Sequence, residues 1–341
     1  MICDWSGTAF QAKHHKTLIL EGHTDVVTEG DPKTWSYPPF EARLVDGKIY
    51  GRGSADMKAG LAAAIIATEA VRKVAPDLAG RIRLAIVSDE EGMMLGIKHF
   101  IAQGWADGVA GAIICEPEEN EICLFQKGAM RVHCLAQGVM SHGAMPYAGA
   151  NPIPLLAAFI AEVRDLEKHE QKRLGEHPYL GLPWFTPTIL SAPYQGEAQL
   201  NVMPASAYMS LDIRTIPGQD HAEILAELSA RAAKLCQADS RLKLELDCFE
   251  SRPWTQTPQD DPLVKAMESV YEPILGQKPR YGGVPGATDG TFLHALKGIP
   301  LVTLGPGDRQ IPHQKDEWVG VNDLIASAKL YAAAAVEFLS S

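Results

Sequence analysis

Ser88-Asp89-Glu90-Glu91-Gly92 follows an apolar, β-rich run from Ile82 to Val87. Two adjacent glutamates at the end of a buried strand repel one another, and burying either without a partner is costly. Taken alone, the segment reads as a solvated acidic turn. A dication at the strand end gives the other reading: one glutamate binds the ion and its neighbour moves a proton. The rest of the chain separates the two.

Three further apolar runs lead to residues of the same chemistry. Thr17-Leu18-Ile19-Leu20 runs into Glu21-Gly22-His23-Thr24-Asp25, where a histidine with an acid two residues on suits a metal ligand and the carboxylate that orients its ring. Ala110 to Cys115 ends at Glu116-Pro117, and Pro300 to Gly305 leads through a Gly/Pro loop to Pro312-His313. Asp56 stands in the glycine-rich segment Gly51 to Gly60, at the start of a helix expected from about Met57 to Lys73. It can be read as an N-cap or as a bridging carboxylate. In an α/β sheet, ligands bind beyond the carboxyl ends of the strands. Five N/O donors gathered there without cysteine suit Zn²⁺, with Co²⁺ or Mn²⁺ as substitutes, and suffice for two ions sharing one carboxylate.

At 341 residues the chain is long enough for two domains. Its 31 basic and 42 acidic residues give a net charge of −11, with no Lys/Arg block, which argues against a nucleic-acid or anionic-membrane partner. No apolar run reaches membrane-spanning length. The first residues lack the basic head and apolar middle of a signal peptide. The six cysteines form no C-x-x-C pair and mostly lie in apolar runs, so buried reduced thiols in a cytoplasmic protein are expected. Residues 1 to 16 read as polar and uninformative. Arg43 to Tyr50 reads as a hairpin turning at Asp46-Gly47.

The middle of the chain has another rhythm. Strands are expected at Met130–Gln137, Thr186–Tyr194, Ala207–Ile216 and Leu242–Phe249, with helices at Pro152–Lys168 and His221–Gln237. This β-α-β-β-α-β order is the ferredoxin-like pattern. It marks an inserted domain at 128–252 between two catalytic segments, 1–127 and 253–341. His142, in the Gly-flanked loop after the first of these strands, reads equally as a solvated histidine or as a substrate contact.

The whole constellation resembles the di-zinc amidohydrolase and peptidase family of acetylornithine deacetylase, succinyl-diaminopimelate desuccinylase, aminoacylase and glutamate carboxypeptidase. The matching motifs are Gly22-His23-Thr24-Asp25, Gly51-Arg52-Gly53-Ser54-Ala55-Asp56-Met57-Lys58, Ser88 to Gly92, Cys115-Glu116-Pro117, Ser141-His142-Gly143, Asn201-Val202-Met203-Pro204, Asp212-Ile213-Arg214, Ala287-Thr288-Asp289-Gly290 and Pro312-His313. The resemblance implies an α/β fold: a mixed-sheet zinc-hydrolase catalytic domain with an inserted ferredoxin-like α+β lid that serves as the dimerisation domain of a homodimer. It implies that Asp56 bridges two zinc ions, that His23 and Glu116 complete one site, and that Glu91 and His313 complete the other. Asp25 would orient His23, Glu90 would be the general base, and His142 would reach the partner subunit's active site. Arg214, Asn201 and Thr288 match substrate-binding positions, although a D-x-R arginine also suits a plain surface ion pair.

Two departures stand out. The segment before Gly22-His23 is several tens of residues shorter than is usual in the family, so an edge of the catalytic sheet is expected to be exposed or differently covered. Cys115 stands where glycine is frequent, as a buried thiol or an added soft ligand. The function implied is hydrolysis of the amide bond of an N-acyl amino acid, by a zinc-bound hydroxide with a glutamate base. A carboxypeptidase or dipeptidase acting on short peptides uses the same centre, and a non-catalytic metal-binding scaffold is the alternative of another class.

Overall fold

Parallel strands covered on both faces read as continuous apolar runs rather than alternating ones. Thr17–His23 is such a run, buried at all seven positions. A computed structural model describes all 341 residues. The chain forms two compact units, Met1–Gln126 with Thr255–Ser341, and Lys127–Trp254.

In chain order the first unit begins with β1 (Ile2–Ser6), β2 (Thr17–His23), the hairpin β3 (Arg43–Val45) and β4 (Lys48–Tyr50), and α1 (Ala59–Val74). It continues with β5 (Arg81–Val87), α2 (Leu95–Ala102), β6 (Gly111–Ile114) and β7 (Ile122–Gln126). The second unit contains β8 (Gly128–Gln137), β9 (Ser141–His142), α3 (Pro152–Leu174) and β10 (Trp184–Ser191). It ends with β11 (Val202–Met203), β12 (Ser206–Thr215), α4 (His221–Cys236) and β13 (Lys243–Arg252). The first unit then resumes with β14 (Thr255–Gln256), α5 (Pro262–Leu275), β15 (Tyr281–Val284), α6 (Gly290–Lys297), β16 (Leu301–Thr303), β17 (Trp318–Gly320) and α7 (Val321–Ser340).

The main sheet of the first unit runs β1-β5-β2-β6-β16-β7-β14, with β15 beside β7. Its centre, β5-β2-β6-β16, is parallel, while β1 and β14 are antiparallel, so the sheet is mixed. Leu18 and Leu20 pack on one face with residues of α1, α5 and α7, and Ile19 packs on the other with residues of α2 and α6. The edge beside β5 is covered by β1, whose five residues pair from Ile2–Ala85 to Ser6–Arg81. Residues 2 to 6 are therefore structural, which corrects the reading of the first 16 as uninformative. A five-residue edge strand leaves little periodicity to read.

In the second unit the sheet order is β10-β12-β8-β13, antiparallel throughout. Leu155, Phe159 and Val163 of α3 and Leu228 of α4 pack on β8 and β12 through Val132, Met209 and Leu211. No helix of the chain is long and apolar enough to cross a membrane.

Candidate metal centre

The parallel register brings the donors to one edge of the sheet. His23 is the last residue of β2 and lies beside Val87 of β5, while Glu21 and Thr303 both pair with Ile114 of β6. The chain leaving each strand thus carries His23, Glu90-Glu91, Glu116 and, further on, His313 past the same carboxyl ends.

Asp56 comes from an irregular turn, Ser54–Lys58, in which Asp56 and Met57 have non-helical dihedrals. Helix α1 begins only at Ala59, with no side-chain cap. The N-cap reading of Asp56 therefore falls away, and its carboxylate turns to two histidines. Oδ1 lies 3.2 Å from His23 Nε2, and Oδ2 lies 3.3 Å from His313 Nε2. Glu116 approaches His23 at 3.6 Å, and Glu91 approaches His313 at 3.0 Å. The ligand atoms of His23, Asp56 and Glu116, and those of Asp56, Glu91 and His313, form two groups, each within 4.8 Å.

The three acids of the opening motif have three different jobs. Asp89, at φ 71°, shapes the turn, and its Oδ2 accepts from the amides of Met93 and Leu95 at 3.2 Å each. Glu91 faces His313. Glu90 is buried at the sheet edge. Asp25 holds both glutamates by their backbone: its Oδ1 accepts from Glu90 N at 3.4 Å and its Oδ2 from Glu91 N at 3.2 Å. His23 Nδ1 lies 3.0 Å from the Asp25 carbonyl oxygen and 3.5 Å from its carboxylate. A carbonyl only accepts, so Nδ1 carries a hydrogen; Nε2 is the nitrogen that would face an ion, and without one it donates to the Asp56 carboxylate.

The electrostatics suit the binding of cations. Burial and then the Asp289 charge push Glu90 up to about 8. Burial and then the Asp56 charge push Glu116 well above the usual carboxylate range. Burial alone would lower His23, but hydrogen bonds to Asp25 and Asp56 outweigh it, and the net shift is strongly upward. His313, hydrogen-bonded first to Asp56 and then to Glu91, is pushed up to about 10. Carboxylates crowded in a buried site with only two imidazoles are short of positive charge. Two N/O-only donor triads sharing one carboxylate suit two divalent ions.

Among the other residues singled out by sequence, Thr288 is buried and donates its hydroxyl to Gln126 Oε1 at 3.0 Å. Arg214 forms a two-pronged ion pair with Asp212, at 2.6 and 3.1 Å. His142 is exposed, its Nδ1 accepting from Ala144 N, and Asn201 lies in the exposed segment before β11. These last three belong to the second unit. Cys115 is fully buried, belongs to neither donor group, and burial pushes its thiol up, as expected of a structural cysteine. All six cysteines are free, Cys3 being exposed.

Three acids escaped the sequence reading. Glu21 lies inside β2, almost fully buried, with its pKa raised by burial and then by Asp289. Asp289 is fully buried and bears on Glu90 by its charge. Glu317 is fully buried and binds the Asp56 turn. Asp289 at least sat in a quoted motif, whereas no spacing links Glu317 to the Asp56 turn.

Comparison with known proteins identifies the family and the fold. The sequence pattern of Peptidase family M20/M25/M40 matches residues 19–337. The chain is 28% identical over 326 residues to a probable succinyl-diaminopimelate desuccinylase of Staphylococcus epidermidis, covering 89% of this chain and 78% of the relative. Its fold matches that of an M20 family metallo-carboxypeptidase from Sulfolobus solfataricus with a TM-score of 0.76 at 20% identity, over 99% of this chain and 86% of the other. It also matches the YXEP protein of Bacillus subtilis, a dinuclear metal binding peptidase, with a TM-score of 0.72 at 16% identity, over 99% and 84%. The chain therefore belongs to the M20/M25/M40 peptidase family and is a metal-dependent hydrolase.

Proposed function

We propose that the protein hydrolyses the amide bond of an N-acyl amino acid, with two divalent ions, zinc foremost, held by His23, Asp56 and Glu116 and by Asp56, Glu91 and His313. The observation that carries this reading is the division of one carboxylate between two histidines, with Glu90 buried alongside. Bound there, the ions would acidify a water and polarise the scissile carbonyl. Glu90 takes the proton of the attacking water and returns it to the leaving nitrogen. Asp25 fixes the His23 tautomer and the backbone of the base. The 28% identity to a probable desuccinylase supports an acyl-amino-acid substrate.

The second unit supplies the rest of the site in this reading. It acts as a lid and dimerisation domain, from which His142 acts on the partner subunit's substrate and Arg214 and Asn201 meet the substrate carboxylate. Asp212 uses Nε and Nη2 of Arg214, which leaves Nη1 for that task. Thr288 acts through Gln126 as a positioning residue.

The test is a panel of acetyl-, succinyl- and carbamoyl-amino acids beside dipeptides, run with Zn²⁺ or Co²⁺ and with a chelator as control. Turnover of an acyl-amino acid that the chelator abolishes supports the proposal. Turnover of dipeptides alone replaces it with a peptidase built on the same centre. A protein that binds no metal and is inert on the whole panel overturns it.

A further inference from the structure

Asp56 and His313 reach the centre from a turn and a loop rather than from a regular strand or helix. Asp56 lies in backbone that is neither helix nor strand, and the His313 side chain is 52% exposed. Ligands work best when their geometry is set in advance. Both segments converge on one buried ion pair.

Glu317 is 0% exposed and Arg52 is 7% exposed. Glu317 Oε1 accepts from the amide of Ala55 at 2.9 Å and from that of Asp56 at 3.1 Å. Its Oε2 accepts from Arg52 Nη1 at 2.5 Å. The other arm of Arg52, Nη2, donates to the His313 carbonyl at 3.4 Å. The Gly51 amide donates to the Glu317 carbonyl at 2.9 Å, and the Trp35 ring lies 5.1 Å from the guanidinium. Asp316, the preceding residue, accepts from the amide and hydroxyl of Ser36. The chain from His313 to Glu317 is therefore tied to the segment that delivers Asp56 at several points.

We propose that Glu317 and Arg52 are positioning residues of the metal centre, holding the Asp56 turn and the His313 loop in register so that the second donor group, Asp56, Glu91 and His313, is formed before an ion arrives. This rests on the metal centre proposed above. A buried ion pair is weak evidence for stability, since apolar replacements of similar volume are often tolerated. Here the carboxylate also accepts two backbone N–H groups on or next to a ligand. Removal of such partners typically costs 10–100-fold in metal affinity.

The test is titration of the metal-free protein with Co²⁺, followed by calorimetry and visible absorption, with circular dichroism as a check on folding. Wild type is expected to bind two Co²⁺ ions. In Arg52→Met/Glu317→Leu, which replaces the pair by an apolar one, the more weakly held ion is expected to lose about 10–100-fold in affinity and the other less. Arg52→Lys keeps the charge opposite Glu317 but cannot hold Glu317 and the His313 carbonyl with one planar fork. It should lose about 10-fold at one ion only. Wild-type affinity for both ions in a folded Met/Leu variant overturns the inference. If that variant does not fold, unchanged affinity for both ions in Arg52→Lys overturns it. Two ions on wild type with variants that match it sink this inference alone, and a wild type that binds no Co²⁺ sinks the metal centre with it.

Discussion

Glu90 and Glu91 are adjacent in sequence, and their backbone amides are held by the two oxygens of one aspartate, Asp25. That shared support makes their separate roles testable. Glu90→Gln keeps the volume and the Asp25 contact but cannot carry a proton. It is expected to lower kcat by about 10²–10⁴-fold with metal content unchanged, as read by steady-state kinetics beside elemental analysis. Asp25→Asn turns one acceptor into a donor that faces an amide. The glutamate pair should then shift, and metal affinity should fall by roughly 10–100-fold, measured by Co²⁺ titration. At this scale the sequence was informative where a chemically distinctive residue followed an apolar strand, as with His23, Glu91 and Glu116. It was silent on Glu317, an ordinary turn acid until the fold sets it against the Ala55 and Asp56 amides. The Asp25 carboxylate lies 3.5 Å from His23 Nδ1, in keeping with its reading as the orienter of that ring, and the Asp25 carbonyl, which the sequence did not point to, lies closer at 3.0 Å.

Elements carry the site by how closely they approach one another. A Cβ on Gly60, in the first turn of α1, would stand 1.9 Å from the carbonyl oxygen of Cys115, at the end of β6. Backbone cannot yield as a flexible side chain can, so Gly60→Ala must push α1 off the strand. A loss of about 1–3 kcal/mol in urea unfolding is expected, with weaker metal binding because the Asp56 turn leads into α1. The second unit has its own pH dependence. His221 opens α4 between the hydroxyls of Thr215 and Ser251, each 2.8 Å away, and burial pushes it down to about 4 against the opposing charge of Asp220. The unfolded chain takes up this proton more readily, so the contribution of His221 is present above about pH 6.5 and is lost as pH falls toward 4. His221→Gln should flatten the stability difference between pH 7 and pH 5 by up to one proton's slope, as measured by denaturant titration. The period-2 and period-3.6 patterns were legible for the long elements. The boundaries moved: α1 starts at Ala59 rather than Met57, because an irregular turn precedes it. The Asp46-Gly47 turn was legible because both residues need positive φ, 48° and 74° in the structure.

For the molecule as a whole, the proposed centre would hold protons in the absence of ions. Glu90 is pushed up to about 8 and His313 to about 10, with Glu116 and His23 also raised. For all four, the folded state binds protons more tightly than the unfolded chain. The sign is therefore common to them: without ions the fold is favoured at low pH and loses stability as pH climbs from about 4.5, where unfolded glutamates titrate, through about 8 to about 10. Divalent ions compete for the same lone pairs, and their binding releases those protons. The loaded protein should then show the opposite trend, with apparent affinity rising with pH until the sites are fully deprotonated. Each factor of ten between free ion and Kd adds about 1.4 kcal/mol to unfolding. The gain in Tm on adding excess Co²⁺ is thus expected to be small at pH 5.5 and to grow steadily to pH 8. In Glu91→Gln/His313→Gln, which lacks two of the raised or ligating groups, the growth should be shallower. A Tm gain that is flat with pH, or that shrinks toward alkaline conditions, would mean that the ions do not displace protons from this cluster.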